Sequence, residues 1–87
     1  MLKFTSINKE NPKKTDSKIR LKNFDEIYAN FAKQKAEEQA SRCSQCGVPF
    51  CQVHCPLQNN IPDWLKLTAE NRLEEAYQVS SATNNMP

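Results

Sequence analysis

Cys43-Ser-Gln-Cys46-Gly-Val-Pro-Phe-Cys51-Gln-Val-His-Cys55-Pro56 is the stretch that decides the fold of this chain, because it holds all four cysteines. Their spacing is C-x2-C-x4-C-x3-C-P. The N-terminus lacks the continuous apolar segment of a secretory signal, so we expect a cytoplasmic protein. In that reducing compartment, clustered cysteines indicate metal ligands rather than disulfides.

The spacing of the cysteines favours an iron–sulfur centre. It differs only in the middle gap from the ferredoxin run C-x2-C-x2-C-x3-C-P, in which the fourth cysteine ligates a different cluster from the first three. By the same geometry, we predict that Cys43, Cys46 and Cys51 bind one 4Fe-4S cluster and that Cys55 binds a second. The chain has no further cysteine with which to complete either cluster.

Zinc is the main alternative to an iron–sulfur cluster. Four thiolates can close a tetrahedral zinc site, and His54 could replace Cys55 in a Cys3His site. Structural zinc sites, however, usually have two ligand pairs that are a dozen or more residues apart, whereas four residues separate the two halves of this run. Because His54 adjoins Cys55, we expect it to be exposed or to contact the site without binding the metal.

Length and composition predict a small domain that depends on a metal or a partner. The chain has 87 residues, near the size at which a hydrophobic core alone is marginal. Charged residues make up 25% of it, and no apolar run approaches the roughly 18 residues of a membrane span. We therefore expect no membrane partner.

Basic residues are concentrated at the N-terminus. Residues 1–22 contain seven Lys or Arg and two acidic residues, whereas residues 23–87 contain five and eight. The first segment has no regular apolar period, so we predict an extended or disordered, flexible basic arm over 1–22. This arm is expected to be solvated or to lie on a larger partner. Nucleic-acid binding is not expected, because aromatic residues are not interleaved with the basic ones.

A helix is predicted to begin at Asn23, which lies three residues before Glu26 as in a capping box. Four apolar residues would share one face of this helix, namely Phe24, Ile27, Tyr28 and Phe31. Lys33–Ser41 is also rich in helix formers, so two helices with a bend compete with one long helix. In either case a helix leads directly to Cys43.

Two further helices are predicted after the cysteines. The first opens at Asn60-Ile-Pro62-Asp63, where a proline in the first turn costs no hydrogen bond. The second opens at Asn71 and runs to about Ser81. Their apolar faces, with Trp64 as an anchor, are expected to pack together. Because no strand pattern occurs, the predicted fold class is all-α with an irregular cysteine loop.

The residues between the cysteines are expected to shape the surroundings of the metal. Gly47, the only glycine, can adopt a positive φ that turns backbone N–H groups toward a sulfur. Three apolar residues of the loop, Val48, Phe50 and Val53, are expected to exclude water from the cluster, which would tune its potential.

Residues 24–87 resemble the N-terminal stretch of the small (beta) subunit of bacterial NADPH-dependent glutamate synthase. The block from Glu38 to Pro56 carries this resemblance most specifically. The flanking segments that share it are Asp25-Glu-Ile-Tyr28, Asn59-Asn-Ile-Pro-Asp-Trp-Leu-Lys-Leu67, Arg72-Leu-Glu-Glu-Ala-Tyr77 and Ala82-Thr-Asn-Asn85. A similar domain opens dihydropyrimidine dehydrogenase and related flavin oxidoreductases, so the block alone indicates an electron-transfer domain, and the flanking segments favour glutamate synthase.

The resemblance implies a small α-helical ferredoxin-like domain that works with two 4Fe-4S clusters, FAD and NADPH. Cys43, Cys46 and Cys51 match ligands of one cluster, and Cys55 matches a ligand of the other. Electrons would pass from NADPH and FAD through the clusters to the large (alpha) subunit, which makes glutamate from glutamine and 2-oxoglutarate. The implied partners are that subunit and the FAD/NADPH domain of the same chain, with no nucleic acid and no membrane.

The resemblance also implies that residues 23–87 are the N-terminal part of a longer iron–sulfur domain. Members of the family continue into a second cysteine-rich stretch that completes both clusters, and then into nucleotide-binding domains. With one glycine, these 87 residues cannot contain a Gly-x-Gly-x-x-Gly dinucleotide site, and we predict no catalytic residue among them. The alternatives are a small zinc-binding interaction module, a related flavin oxidoreductase, or a helical docking piece with idle thiols.

Overall fold

Helices and loops make up the whole fold in the computed structural model, which describes residues 1–87. A 3-10 turn, Lys3–Thr5, is followed by α1 (Ser17–Arg20), α2 (Lys33–Ala40), α3 (Phe50–Val53), α4 (Ile61–Ala69) and α5 (Leu73–Ser81). The chain forms no strand, so the predicted all-α class is confirmed. None of these helices has the length and apolar character that a membrane crossing requires.

The helix predicted to begin at Asn23 is absent, and the first helix of more than one turn begins at Lys33. The side chain of Asn23 does not cap a helix but accepts a hydrogen bond from the Asp25 N–H at 3.2 Å. Residues 21–30 are all exposed, and Phe24 is fully so. Of the four apolar residues predicted to share a face, Phe24, Ile27 and Tyr28 are exposed and Phe31 is half-buried.

Backbone pairing with the basic arm replaces the missing helix. The Thr15 N–H donates to the Ile27 carbonyl and the Ala29 N–H donates to the Lys13 carbonyl, both at 2.8 Å. These antiparallel bonds satisfy backbone groups that a helix would have paired internally. The apolar period of the segment therefore wrongly indicated a helix. Its backbone groups form hydrogen bonds with residues of the arm instead of with one another.

The core is formed by α2, α4 and α5, with α4 packed against both of the others. Its buried side chains are small, namely Ala40 at the end of α2, Pro62 at the start of α4, and Ala76 in α5. Trp64 lies half-buried on α4. The predicted packing of the last two helices is confirmed, but this core buries little apolar surface, as expected for a chain of this size.

The turn between α4 and α5 differs from its prediction. Asn71 does not cap α5, which begins at Leu73, but ends α4 in the left-handed conformation with φ of 62°. The Asn71 N–H donates to the Thr68 carbonyl at 3.0 Å, and the Arg72 N–H donates to the Leu67 carbonyl at 2.8 Å. This is a Schellman motif, in which asparagine tolerates a conformation that most residues avoid.

The N-terminal end of the basic arm lies along α2 and reaches the first cysteine. The Leu2 N–H donates to the Cys43 carbonyl at 2.8 Å, and the Lys3 N–H donates to the Ser41 carbonyl at 3.1 Å. Outside the 3-10 turn and α1, the arm has no regular secondary structure. The division of the chain at residue 22 stays a prediction.

Replacing Arg42 by Met is expected to release the arm. Arg42 Nε donates to the Ile7 carbonyl at 2.9 Å in a partly buried position. A hydrogen bond to a charged group contributes about 1.5–3 kcal/mol, so we expect the amides of Leu2 and Lys3 to exchange at least about tenfold faster in R42M. Hydrogen–deuterium exchange measures this rate. R72M, which removes exposed ion pairs beside α5, is the control; equal exchange in both variants would contradict the prediction.

Candidate metal centre

The end of α2 and the short helix α3 position the four cysteines. The Cys43 N–H donates to the Ala40 carbonyl at 3.2 Å, so this cysteine lies on the turn that ends α2, as predicted. Cys46 lies in the loop that follows, and Cys51 lies within α3. Cys55 follows α3, and its N–H donates to the Gln52 carbonyl at 3.1 Å. The loop predicted to be irregular thus contains one helical turn.

All four thiols are free, but they differ in exposure. Cys43 and Cys55 are half-buried, whereas Cys46 and Cys51 are exposed. No three cysteine, histidine or acidic side chains lie close enough together to hold one metal ion. Because metal binding and local folding are coupled, thiols can be gathered as the metal binds. The division into Cys43, Cys46 and Cys51 for one cluster and Cys55 for another stays a prediction.

The turn after Cys55 favours its thiolate form. The backbone N–H groups of Asn59 and Leu57 lower the pKa of this thiol below its ordinary value, with Asn59 contributing most, and the Gln58 N–H donates to the Cys55 carbonyl at 2.9 Å. Gln58 has a φ of 50°, which lets the chain turn back toward the cysteine. The thiolate is the form that binds metals, so this turn favours a metal ligand at Cys55.

A side-chain amide contacts the sulfur of Cys43. Gln45 Nε2 lies 3.3 Å from Cys43 Sγ and donates to the Pro62 carbonyl at 2.7 Å. Gln45 therefore links the cysteine loop to the start of α4. Sequence reasoning missed this residue, because a glutamine between two cysteines gives no signal of a partner 17 residues away.

The role predicted for Gly47 is wrong. Its φ is not positive, and a Cβ atom added to it would meet nothing within 4 Å. The left-handed residues near the cysteines are instead Gln45 and Gln58. The chain thus makes both tight turns with glutamines, at a conformational cost that a glycine would not incur.

The apolar residues of the loop do not shield the thiols. Val48, Phe50 and Val53 are 64%, 67% and 57% exposed, so their predicted exclusion of water is wrong for this structure. His54 is exposed, as predicted, and its ring stacks on that of Phe50 with the centroids 5.9 Å apart. The stacked pair forms an outer face of α3.

Replacing His54 by Gln separates the iron–sulfur hypothesis from a Cys3His zinc site. Because the imidazole stacks on Phe50 in an exposed position, we expect H54Q to keep all the metal of the unmutated protein. Metal analysis of the purified protein measures this. The matched comparison is C51S, which removes a thiol from the same helical turn. If H54Q lost its metal as C51S does, histidine would be a ligand and the zinc hypothesis would be supported.

Residues 20–87 match the family described as dihydropyrimidine dehydrogenase domain II, 4Fe-4S cluster. The chain belongs to this family. The match includes every cysteine and α2 to α5, but excludes most of the basic arm. Membership in the domain II family supports an iron–sulfur centre rather than structural zinc.

Individual relatives extend the domain II match to the N-terminus. The chain is 63% identical over all of its 87 residues to the glutamate synthase (NADPH) small chain of Azospirillum brasilense, and 44% identical over 97% of its length to that of Escherichia coli K12. It is 39% identical over 87% of its length to a putative oxidoreductase, AegA, of Escherichia coli K12. The resemblance to glutamate synthase small chains is confirmed. The chain spans 18% of the length of both small chains and 12% of AegA.

The donor set of this domain II member fits a 4Fe-4S cluster. Clusters of this kind are held by cysteine thiolates whose sulfurs accept hydrogen bonds, and such bonds tune the potential. The chain offers four free thiols, backbone donors around Cys55, and the Gln45 amide at Cys43. An electron-transfer role follows from this family and this donor set.

Proposed function

We propose that this chain is the N-terminal electron-transfer domain of a glutamate synthase small subunit. It relays electrons from NADPH and FAD to the large subunit, where glutamine and 2-oxoglutarate are converted to glutamate. The observation that carries the proposal is the 63% identity to the Azospirillum brasilense small chain over the whole of this chain. Since the chain spans 18% of that relative, FAD and NADPH are assigned to the rest of a longer subunit, which is the enzyme.

The cysteines are the residues that act in this proposal. Cys43, Cys46 and Cys51 hold one cluster and Cys55 contributes to a second, with the remaining ligands supplied from outside these 87 residues. A bound 4Fe-4S cluster supplies one-electron transfer. The chain's own part is to supply thiolates from α3 and from the turns that follow α2 and α3, and to offset their negative charge with hydrogen-bond donors.

Two alternatives compete with the proposal. A related flavin oxidoreductase would use the same cysteine loop, but the identity to AegA is 39% against 63% for the Azospirillum brasilense small chain. A zinc-binding interaction module would need the four thiols to converge on one ion, and the family match to a 4Fe-4S domain argues against it.

Metal and sulfide analysis of two proteins tests the proposal. The 87-residue chain is compared with the full-length small subunit, and both are reduced with dithionite for electron paramagnetic resonance. We expect about eight irons and 4Fe-4S signals only in the longer protein, which should also form glutamate with the large subunit and NADPH. Zinc without sulfide in the full-length subunit would refute the proposal. A stable four-cysteine cluster in the 87-residue chain would refute the separate assignment of Cys55.

A further inference from the structure

We infer that Gln45 is a positioning residue that donates a hydrogen bond to the Cys43 sulfur and thereby raises the reduction potential of the cluster that Cys43 helps to hold. The inference rests on the proposed function, because it requires a cluster at Cys43. Gln45 is not itself a ligand of the cluster, and it acts through the ligand Cys43.

The geometry of the side-chain amide supports this role. Gln45 Nε2 lies 3.3 Å from Cys43 Sγ and 2.7 Å from the Pro62 carbonyl oxygen. An amide NH2 group has two hydrogens, so it can donate one to each acceptor. Pro62 is buried in the first turn of α4, and its carbonyl anchors the amide to that helix. The donor is thus held in place by a second acceptor besides the sulfur.

The backbone of Gln45 indicates that this arrangement is imposed by its surroundings. Its φ of 49° lies in the left-handed region, which is unfavourable for a residue with a Cβ. Residues held in such conformations persist when their contacts determine them, and they cluster at functional sites. Here the turn brings the side chain back over the sulfur two residues earlier. A glycine at this position would form the turn without strain, but it would have no amide to donate.

The effect on the potential follows from charge. Reduction adds one electron to the cluster and increases the negative charge on its ligand sulfurs. A donor to one of those sulfurs stabilises the reduced form more than the oxidised form, so the potential rises. We therefore expect the loss of one such donor to change the equilibrium constant for reduction by up to about tenfold.

The test is a redox titration of the full-length small subunit, followed by electron paramagnetic resonance with dithionite as the reductant. In Q45M the side chain keeps its approximate length but loses the donor. We expect its equilibrium constant for one-electron reduction to fall up to about tenfold at one cluster, a shift of up to about 59 mV to more negative potential. The second cluster should keep its potential. Q52M is the matched control, because Gln52 lies in α3 beside Cys51 and donates no side-chain hydrogen bond.

A second variant keeps the inference testable if Q45M fails to assemble. Q45N retains an amide and suits the left-handed backbone better, but it is one methylene too short to reach the sulfur. It should lower the same potential as Q45M does. If either variant carries its full iron and sulfide and its potentials equal those of Q52M, the inference is wrong while the proposed function stands. If the unmutated subunit holds no cluster, the inference about Gln45 and the proposed function are both wrong.

Discussion

Replacing Cys51 by Ser should, under the proposed function, remove one of two clusters from the full-length small subunit and reduce NADPH-dependent glutamate formation with the large subunit about a hundredfold or more. Changes to groups that merely support a metal ligand cost 10–100-fold in affinity or activity, so loss of a ligand should cost at least the upper value. Cys51 is an exposed free thiol on α3, and no other side chain forms a hydrogen bond with it, so C51S removes a thiolate without removing a contact within the fold. Iron and sulfide content and NADPH-dependent glutamate formation measure the effect.

The control for this prediction is Ser44→Ala, a change between two cysteines of the same loop that removes no thiol. We expect S44A to keep both clusters and full activity. C55S should remove a different paramagnetic signal from the one lost in C51S, because the ferredoxin spacing assigns the two thiols to different clusters. If C51S and C55S lost the same signal, the four cysteines would belong to a single centre.

Replacing Ala40 by Asp should destabilise the fold by about 3 kcal/mol or more, because it buries an unpaired charge. Ala40 is 5% exposed and lies in the last turn of α2, directly before the turn that holds Cys43. The chain has few other buried side chains with which to compensate for the loss. Urea unfolding followed by circular dichroism measures the difference in the free energy of unfolding.

An alanine-to-aspartate substitution at the other end of α2 provides a control, because it is expected to raise the free energy of unfolding rather than to lower it. Ala32 is the exposed N-cap of this helix and makes no capping hydrogen bond. An aspartate there can accept a hydrogen bond from the first turn and interact with the helix dipole, so A32D should stabilise the chain by about 1 kcal/mol. If A40D were as stable as A32D, the end of α2 would not be part of the core.

Local signals predicted the second half of the chain well. The proline in the first turn identified the start of α4 at Ile61, and the apolar period identified α5, Leu73–Ser81, to within about two residues. Such signals arise between residues that are neighbours on one helix, so they can be read from the order of the residues. At Asn71 the same reasoning assigned the residue to the wrong helix. An asparagine can cap the start of the next helix or end the previous one, and here it ends α4.

The first half was predicted less well, because its structure depends on distant contacts. Residues from Asn23 to Phe31 have a helical apolar period, yet their backbone pairs with residues near Lys14. The basic arm was predicted from its composition, but composition does not show that Leu2 reaches the Cys43 carbonyl. A chain segment adopts the structure that satisfies its backbone groups in the whole fold, and that competition is settled outside the segment.

The sequence by itself determined the set of thiols that this protein offers to a metal centre, because four cysteines within thirteen residues and their spacing are local properties of the chain. It also determined the all-α class. Only the tertiary structure decided which groups surround the thiols. The contact of Gln45 with both Cys43 and Pro62 joins residues far apart in sequence, and the exposure of Phe50 depends on what the rest of the fold leaves uncovered. Such relations depend on packing in three dimensions, which the spacing of residues along the chain does not specify.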